Sequence, residues 1–215
     1  MGTNVTHRKI IQELASFLYR NPETANNEFK ACKKQVEILE SMGFQVTVPY
    51  SSIPTSFRAE YKSPFAKNDC KTICFLSEYD ALENMGHACG HHLIASAAFA
   101  GFLASVNLCE TEKLNAKILL LGTPAEEGYG GKVQLLNAGA FENIDCCLIT
   151  HPYYNTYLDS GTMAASRYKI KFLGKSSHAG NAPQDGVNAL DSMITFFSSI
   201  GLYRQQMQKG NMVHG

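Results

Sequence analysis

Hydrophobic positions change period several times along the chain, and each change marks an element. Ile10, Leu14 and Phe17 recur at helical spacing, as do Phe29, Cys32, Val36 and Leu39. They predict two amphipathic helices, the second stopped by Gly43. Residues 45–49 and 57–62 read as short strands. Residues 71–79 (KTICFLSEY) are nearly continuous in apolar character, as in a strand buried on both faces. An alanine-rich helix follows over 92–107, then a second buried strand over 116–122 (AKILLLG). A helix over 130–138, stopped near Gly139, leads to a third buried strand over 144–150 (IDCCLIT). Strands alternating with helices through short connections predict an α/β fold. It is a mostly parallel sheet with helices on both faces and right-handed crossovers. After Tyr153 the texture changes. Residues 163–174 alternate, as in a half-exposed strand, and Val187, Leu190, Ile194 and Phe197 mark a long amphipathic helix. A domain boundary near 159–165 therefore separates a larger part, 1–160, from a smaller one, 161–215.

Composition narrows the class. The chain has 215 residues, 45% hydrophobic and 18% charged, which suits a folded globule rather than a disordered one. Nineteen basic residues balance nineteen acidic ones, so no global field favours nucleic acid or a membrane surface. The N-terminus is polar and no apolar segment of a secretory signal follows it. The long apolar run near 93–106 is broken by Ser96, Gly101 and Ser105, which fits a buried helix better than a membrane span. Seven cysteines at irregular spacing argue for reduced thiols and a cytoplasmic setting.

The chemistry clusters where the buried strands end. In parallel sheets ligands bind beyond the carboxyl ends of the strands. After 71–79 come Asp80 and the run His87-Ala88-Cys89-Gly90-His91-His92. After 116–122 come Thr123-Pro124-Ala125-Glu126-Glu127-Gly128. After 144–150 come His151 and Pro152. Cys89 and His91, two apart, point to one side of an extended chain, and thiolate with imidazole suits zinc or a similar ion. Adjacent Glu126 and Glu127 diverge, so one can ligate a metal while the other faces an activated water. His151 is a candidate third ligand. Asp80 is placed to fix the tautomer of a ligating histidine.

These motifs resemble the aminoacylase/carboxypeptidase G family of metallopeptidases, in its amidohydrolase branch. The resemblance is carried by SEYDAL (77–82), GHACGHHLIA (86–95), GTPAEEGYGGK (122–132), AGAFENID (138–145), THP (150–152), GKSSHAGNAPQDGVNALD (174–191) and YRQQM (203–207). It implies an α/β catalytic domain over 1–160 and, over 161–215, the first part of an inserted α+β lid that dimerises. It implies two divalent metal ions, zinc first with manganese or cobalt as alternatives, held by Cys89, His91, Glu127 and His151. Glu126 is then the general acid/base and Asp80 the supporting aspartate. His178, a loop histidine by spacing alone, matches a lid histidine that reaches the partner subunit's site and polarises the scissile carbonyl. The implied activity is hydrolysis of amide bonds in dipeptides or N-acyl amino acids, with a basic C-terminal residue favoured by SEYDAL, GTPAEE and GGK. No nucleic acid and no membrane is implied as a partner.

Departures from the family pattern crowd the rim. His92 stands where relatives have Asn or Asp, Glu83 where they have Pro, and Tyr129 where they have Gly. The chain ends at Gly215, inside the implied lid, while family members run on to supply one further histidine ligand. The alternative expectation is therefore a catalytically inactive shortened form that acts through lid-mediated association. A purely structural zinc site is the third reading, against which the open acidic rim argues, since structural zinc is closed by four ligands.

Overall fold

The computed structural model describes the chain apart from Met1, Asp159, Ser160, Thr162 and Met163, and describes only the backbone of 2–6 and of Tyr129. The expected boundary at 159–165 thus lies partly outside the described residues, as does the Tyr129 side chain. The chain divides into two units, Met1–Thr156 and Tyr157–Gly215.

The first unit is built on β1 (Gln45–Thr47), β2 (Arg58–Lys62), β3 (Lys71–Ser77), β4 (Ala116–Gly122) and β5 (Cys146–Leu148), in the spatial order β1-β2-β4-β3-β5. The apolar runs decide the middle of this sheet. In β4, Ile118 and Leu120 enter one core and Leu119 and Leu121 the other, all nearly inaccessible. Such a strand needs cover on both faces. Helices α1 (Gly2–Arg20), α2 (Phe29–Ser41) and α3 (His91–Thr111) cover one face through Leu14, Leu18, Leu39, Phe99 and Phe102. The short α5 (Gly131–Asn137) covers the other, where Leu135 and Ala140 meet Cys74, Leu76, Leu119 and Leu121. Burying each large apolar side chain contributes about 1.5–3 kcal/mol. Helix α3 is long and apolar enough to cross a membrane by length and composition. Its Ile94, Ala95, Phe99 and Phe102 are instead buried within this fold. All seven cysteines are free thiols.

The parallel part of the sheet is β4-β3-β5, in register from Lys71↔Ala116 to Ser77↔Gly122 and from Ile73↔Cys146 to Phe75↔Leu148. Strands β1 and β2 extend it antiparallel, making the whole sheet mixed. Periodicity assigns strands but not their direction, which is why the sequence alone did not separate this side. Arg58 and Lys117 flank Glu60 at 3.0 and 2.8 Å across β2 and β4. Burial pushes the Glu60 carboxyl up, but Lys117 and then Arg58 outweigh it and hold it below the ordinary carboxylate range.

In the second unit, α6 (Ala189–Tyr203) starts on an Asn188 cap, whose Oδ1 accepts from the Leu190 N–H at 3.0 Å. Lys175 and Val187 exchange both backbone hydrogen bonds at 3.0 Å. The strand expected over 163–174 does not form over 164–174, and residue 163 lies outside the described residues. Alternation supplies a face, but a strand also needs a neighbour to take its backbone groups, and among the described residues none pairs there.

Two outcomes follow. An added Cβ at Gly131 would lie 1.8 Å from the Pro124 carbonyl oxygen, so backbone must move. Gly131→Ala is expected to cost about 1–3 kcal/mol, read as a fall in melting temperature of roughly 2–4 °C per kcal/mol. The depressed Glu60 carboxyl contributes stability above its unfolded value and loses it as pH falls through its folded value. Glu60→Gln should therefore flatten the acid limb of a stability–pH curve without changing its neutral shape.

Candidate metal centre

Because β3, β4 and β5 run parallel, their carboxyl ends share one edge of the sheet. Past β3, the Tyr79 ring is fully buried and its hydroxyl donates to the Thr55 carbonyl. Past β4, the Thr123 N–H and Oγ1 both reach the Ser77 carbonyl, at 2.8 and 3.0 Å. The two loops therefore leave the sheet tied together.

Asp80, 1% exposed, joins them again. Its Oδ1 accepts from His91 Nδ1 at 2.9 Å and its Oδ2 from the Glu127 N–H at 2.8 Å. The first bond puts the imidazole proton on Nδ1 and leaves Nε2 with a free lone pair, the form a metal requires. The second fixes the backbone beside Glu126 and Glu127. A further buried carboxylate, Glu28, accepts from the Ala125 N–H at 2.8 Å and from Thr55 Oγ1 at 2.9 Å. Ala125 is held at φ 59°, the left-handed conformation an alanine seldom adopts. Both backbone bonds brace the short helix α4 (Glu126–Tyr129), whose Glu127 and Gly128 depart from helical angles.

Cys89 and His151 approach from the other side. Gly90 takes φ 84°, and a Cβ on it would meet Pro152 Cγ at 2.8 Å. Only glycine lets the Cys89 loop lie this close to the end of β5. Cys89 Sγ then sits 3.9 Å from His151 Nε2. His151 is exposed, with Nδ1 bonded to the Pro152 carbonyl at 2.9 Å. Donor atoms of Cys89, His91 and His151 lie within 4.8 Å of one another, and so do those of His91, Glu126 and Glu127. His91 is common to both groups.

The donors fit a metal. His91 Nε2 and Glu127 Oε1 are buried without hydrogen-bond partners among the described residues. From His91 Nε2 the nearest carboxylate oxygens of Glu78, Glu127 and Glu126 are 3.6, 3.7 and 3.8 Å away. That is too long for a hydrogen bond, but close to the ~3.4 Å between two donors sharing a tetrahedral zinc at about 2.1 Å. The electrostatics agree. Four carboxylates, Glu78, Asp80, Glu126 and Glu127, surround His91, and Lys132 is bonded to one of them. Burial, then Glu127, Glu126 and Glu78, push the Cys89 thiol up to about 12. Burial, with Glu78 next, also raises the Glu126 carboxyl. Burial opposes charge on His91, but Asp80, Glu78 and Glu127 together raise it. Cys89, His91 and Glu126 are thus all shifted toward their protonated forms with neighbouring carboxylates among the causes, a negative field that a cation would relieve.

Six of the seven expected residues thus meet at one edge: Asp80, Cys89, His91, Glu126, Glu127 and His151. His178 belongs to the second unit. Its Nδ1 accepts from the N–H groups of Gly180 and Asn181 at 3.1 Å each, and it is exposed. Sequence reasoning missed Glu28, Glu78 and Lys132. Glu28 lies 97 residues from Ala125, and nothing local announces that contact. Glu78 carried a usable signal, since two residues before Asp80 in an extended chain it points to the same side as Asp80.

Known proteins share both the sequence and the fold. Residues 161–211 match the peptidase dimerisation domain. The chain is 36% identical over 213 residues to the Xaa-Arg dipeptidase of Homo sapiens, covering 94% of this chain and 49% of that one. The Xaa-Arg dipeptidase of Mus musculus is likewise 36% identical, over 209 residues, covering 94% of this chain and 48% of the relative. The chain spans about half the length of these curated relatives. A dinuclear metal-binding peptidase of the M20 family from Bacillus subtilis shares the fold, with a TM-score of 0.55 at 22% identity over 67% of this chain and 42% of that one. The chain is thus similar in sequence to these dipeptidases over about half their length, carries a match to a peptidase dimerisation domain in its second unit, and shares the fold of an M20 peptidase.

Proposed function

We propose that this edge is the metal centre of an amide hydrolase acting on dipeptides or N-acyl amino acids, with a basic C-terminal residue preferred. One observation carries the reading: donors from three separate loops converge on His91 Nε2, which is buried and has no hydrogen-bond partner among the described residues. Cys89, His91, Glu127 and His151 would hold two divalent ions, zinc first. When bound, such ions supply Lewis acidity and lower the pKa of water. The chain's own residues do the rest. Asp80 holds the Nδ1 proton of His91 and keeps Nε2 outward. Glu126, part-exposed beside the donors and with its carboxyl raised by burial, takes a proton from water and passes it to the leaving amine. Substrate preference is supported by the likeness to a dipeptidase whose name specifies a C-terminal arginine. His178 is proposed to serve the site of a second copy, with residues 161–215 as a dimerising lid. That assignment is supported by the match over 161–211. The seven free thiols support a cytoplasmic setting.

A second reading is favoured by His151, an exposed donor in the loop three residues past an edge strand that is itself only three residues long. In that reading the chain holds metal without turnover and acts through association of its second unit.

Three measurements test this. Saturating zinc at about a hundred times its dissociation constant is expected to stabilise the fold by roughly 2.7 kcal/mol, reversed by a chelator. Cys89→Ser and His91→Ala should abolish that shift. Hydrolysis of β-alanyl-lysine and Xaa-Arg dipeptides should fall at least about 100-fold in Glu126→Gln with metal still bound. Metal binding with no turnover in the parent chain would leave the second reading, and no metal at all would remove both.

A further inference from the structure

Glu78 is the one carboxylate at this edge to which neither the sequence pattern nor the proposed ligand set gives a task. It lies just past β3 and is 3% exposed, so its charge is held almost entirely out of water. Burying a carboxylate costs several kcal/mol unless its oxygens are compensated. Oε1 is compensated by Lys132 Nζ, from the first turn of α5. Oε2 is not: it is buried and has no hydrogen-bond partner among the described residues. That oxygen lies 3.6 Å from His91 Nε2, itself buried and unpartnered.

An ion-pair anchor for Lys132 needs only one oxygen and leaves the orientation of the other unexplained. A hydrogen bond from a protonated His91 does not explain it either, since 3.6 Å is outside hydrogen-bonding range. A shared cation explains both unpartnered atoms. Two donors on one ion with bonds of about 2.1 Å stand about 3.4 Å apart at the tetrahedral angle. Glu127 Oε1 stands at 3.7 Å from the same nitrogen, so Glu78 is placed like a residue already proposed as a ligand.

We infer that Glu78 is a further carboxylate donor of the metal centre, with its Oε2 facing the ion beside His91 Nε2 and Lys132 holding its other oxygen. The inference rests on the metal reading above and adds a residue to it. Lys132 then acts as a positioning residue, fixing the rotation of the carboxylate through Oε1 while leaving Oε2 to the ion.

The test is a cobalt(II) titration of the full chain, read by visible d–d absorption and equilibrium dialysis, in the parent, Glu78→Gln, Lys132→Met and Cys89→Ser. Glu78→Gln is expected to weaken cobalt binding by about tenfold or more and to change the shape of the absorption band, the scale on which altered metal surroundings act. Lys132→Met should keep the binding. Parent-like affinity and spectrum in Glu78→Gln, with binding lost in Cys89→Ser, would overturn this inference and leave the metal reading standing. An equal loss in Glu78→Gln and Lys132→Met would mark the pair as structural support and overturn it too. A folded parent chain that takes up no cobalt would sink both. Should circular dichroism show Glu78→Gln unfolded, Glu78→Asp, which withdraws the oxygen by one methylene, is read by the same criteria.

Discussion

The rest of the site hangs on one buried carboxylate. Asp80 accepts the ring N–H of His91 with one oxygen and the backbone N–H of Glu127 with the other. The two bonds join loops that are 47 residues apart at their contact. Without the first, the His91 ring is free to choose either tautomer, and the lone pair at Nε2 is no longer assured. Without the second, the Glu126–Glu127 turn loses its anchor to β3. A carboxylate with both oxygens satisfied in this way is stable in the interior only because the loops around it are held, so each part supports the other. Glu28 repeats the device at the strained Ala125, two residues before Glu127.

That arrangement gathers negative charge in a place with little water. His91 is fully buried, and four carboxylates approach it while Lys132 neutralises one. The chain as a whole carries no net charge, so this is a local imbalance and not a reflection of composition. Such an imbalance is unfavourable for an isolated protein and favourable for a cation-binding one, which is the usual sign of stability given up for function.

The elements that were legible in the sequence were those set by burial on a fixed period. The runs KTICFLS and AKILLLG became β3 and β4 because residues on both faces needed cover. The His91–Thr111 helix and the rim residues after each strand were readable for the same reason, since a parallel sheet dictates where loops emerge. The direction of β2 was not legible, because alternation is the same read either way. The segment 164–174 had the alternation of a strand without a partner to pair with. Glu28 and Lys132 were invisible because their contacts span long stretches of chain, and a charged residue that ends up buried looks like any solvated one until the fold is known.

The matched register of β3 and β4 has a consequence for how such a site varies. Ser77 and Gly122 end level, so the two strands act as rulers that meter the gap between Asp80 and Glu127. One residue added to or removed from either strand displaces its rim by about 3.3 Å and turns its side chains to the opposite face. That step nearly equals the 3.7 Å between His91 Nε2 and Glu127 Oε1. Sequence change within the strands is thus limited only by volume, whereas a change in their length would uncouple the two halves of the centre at once.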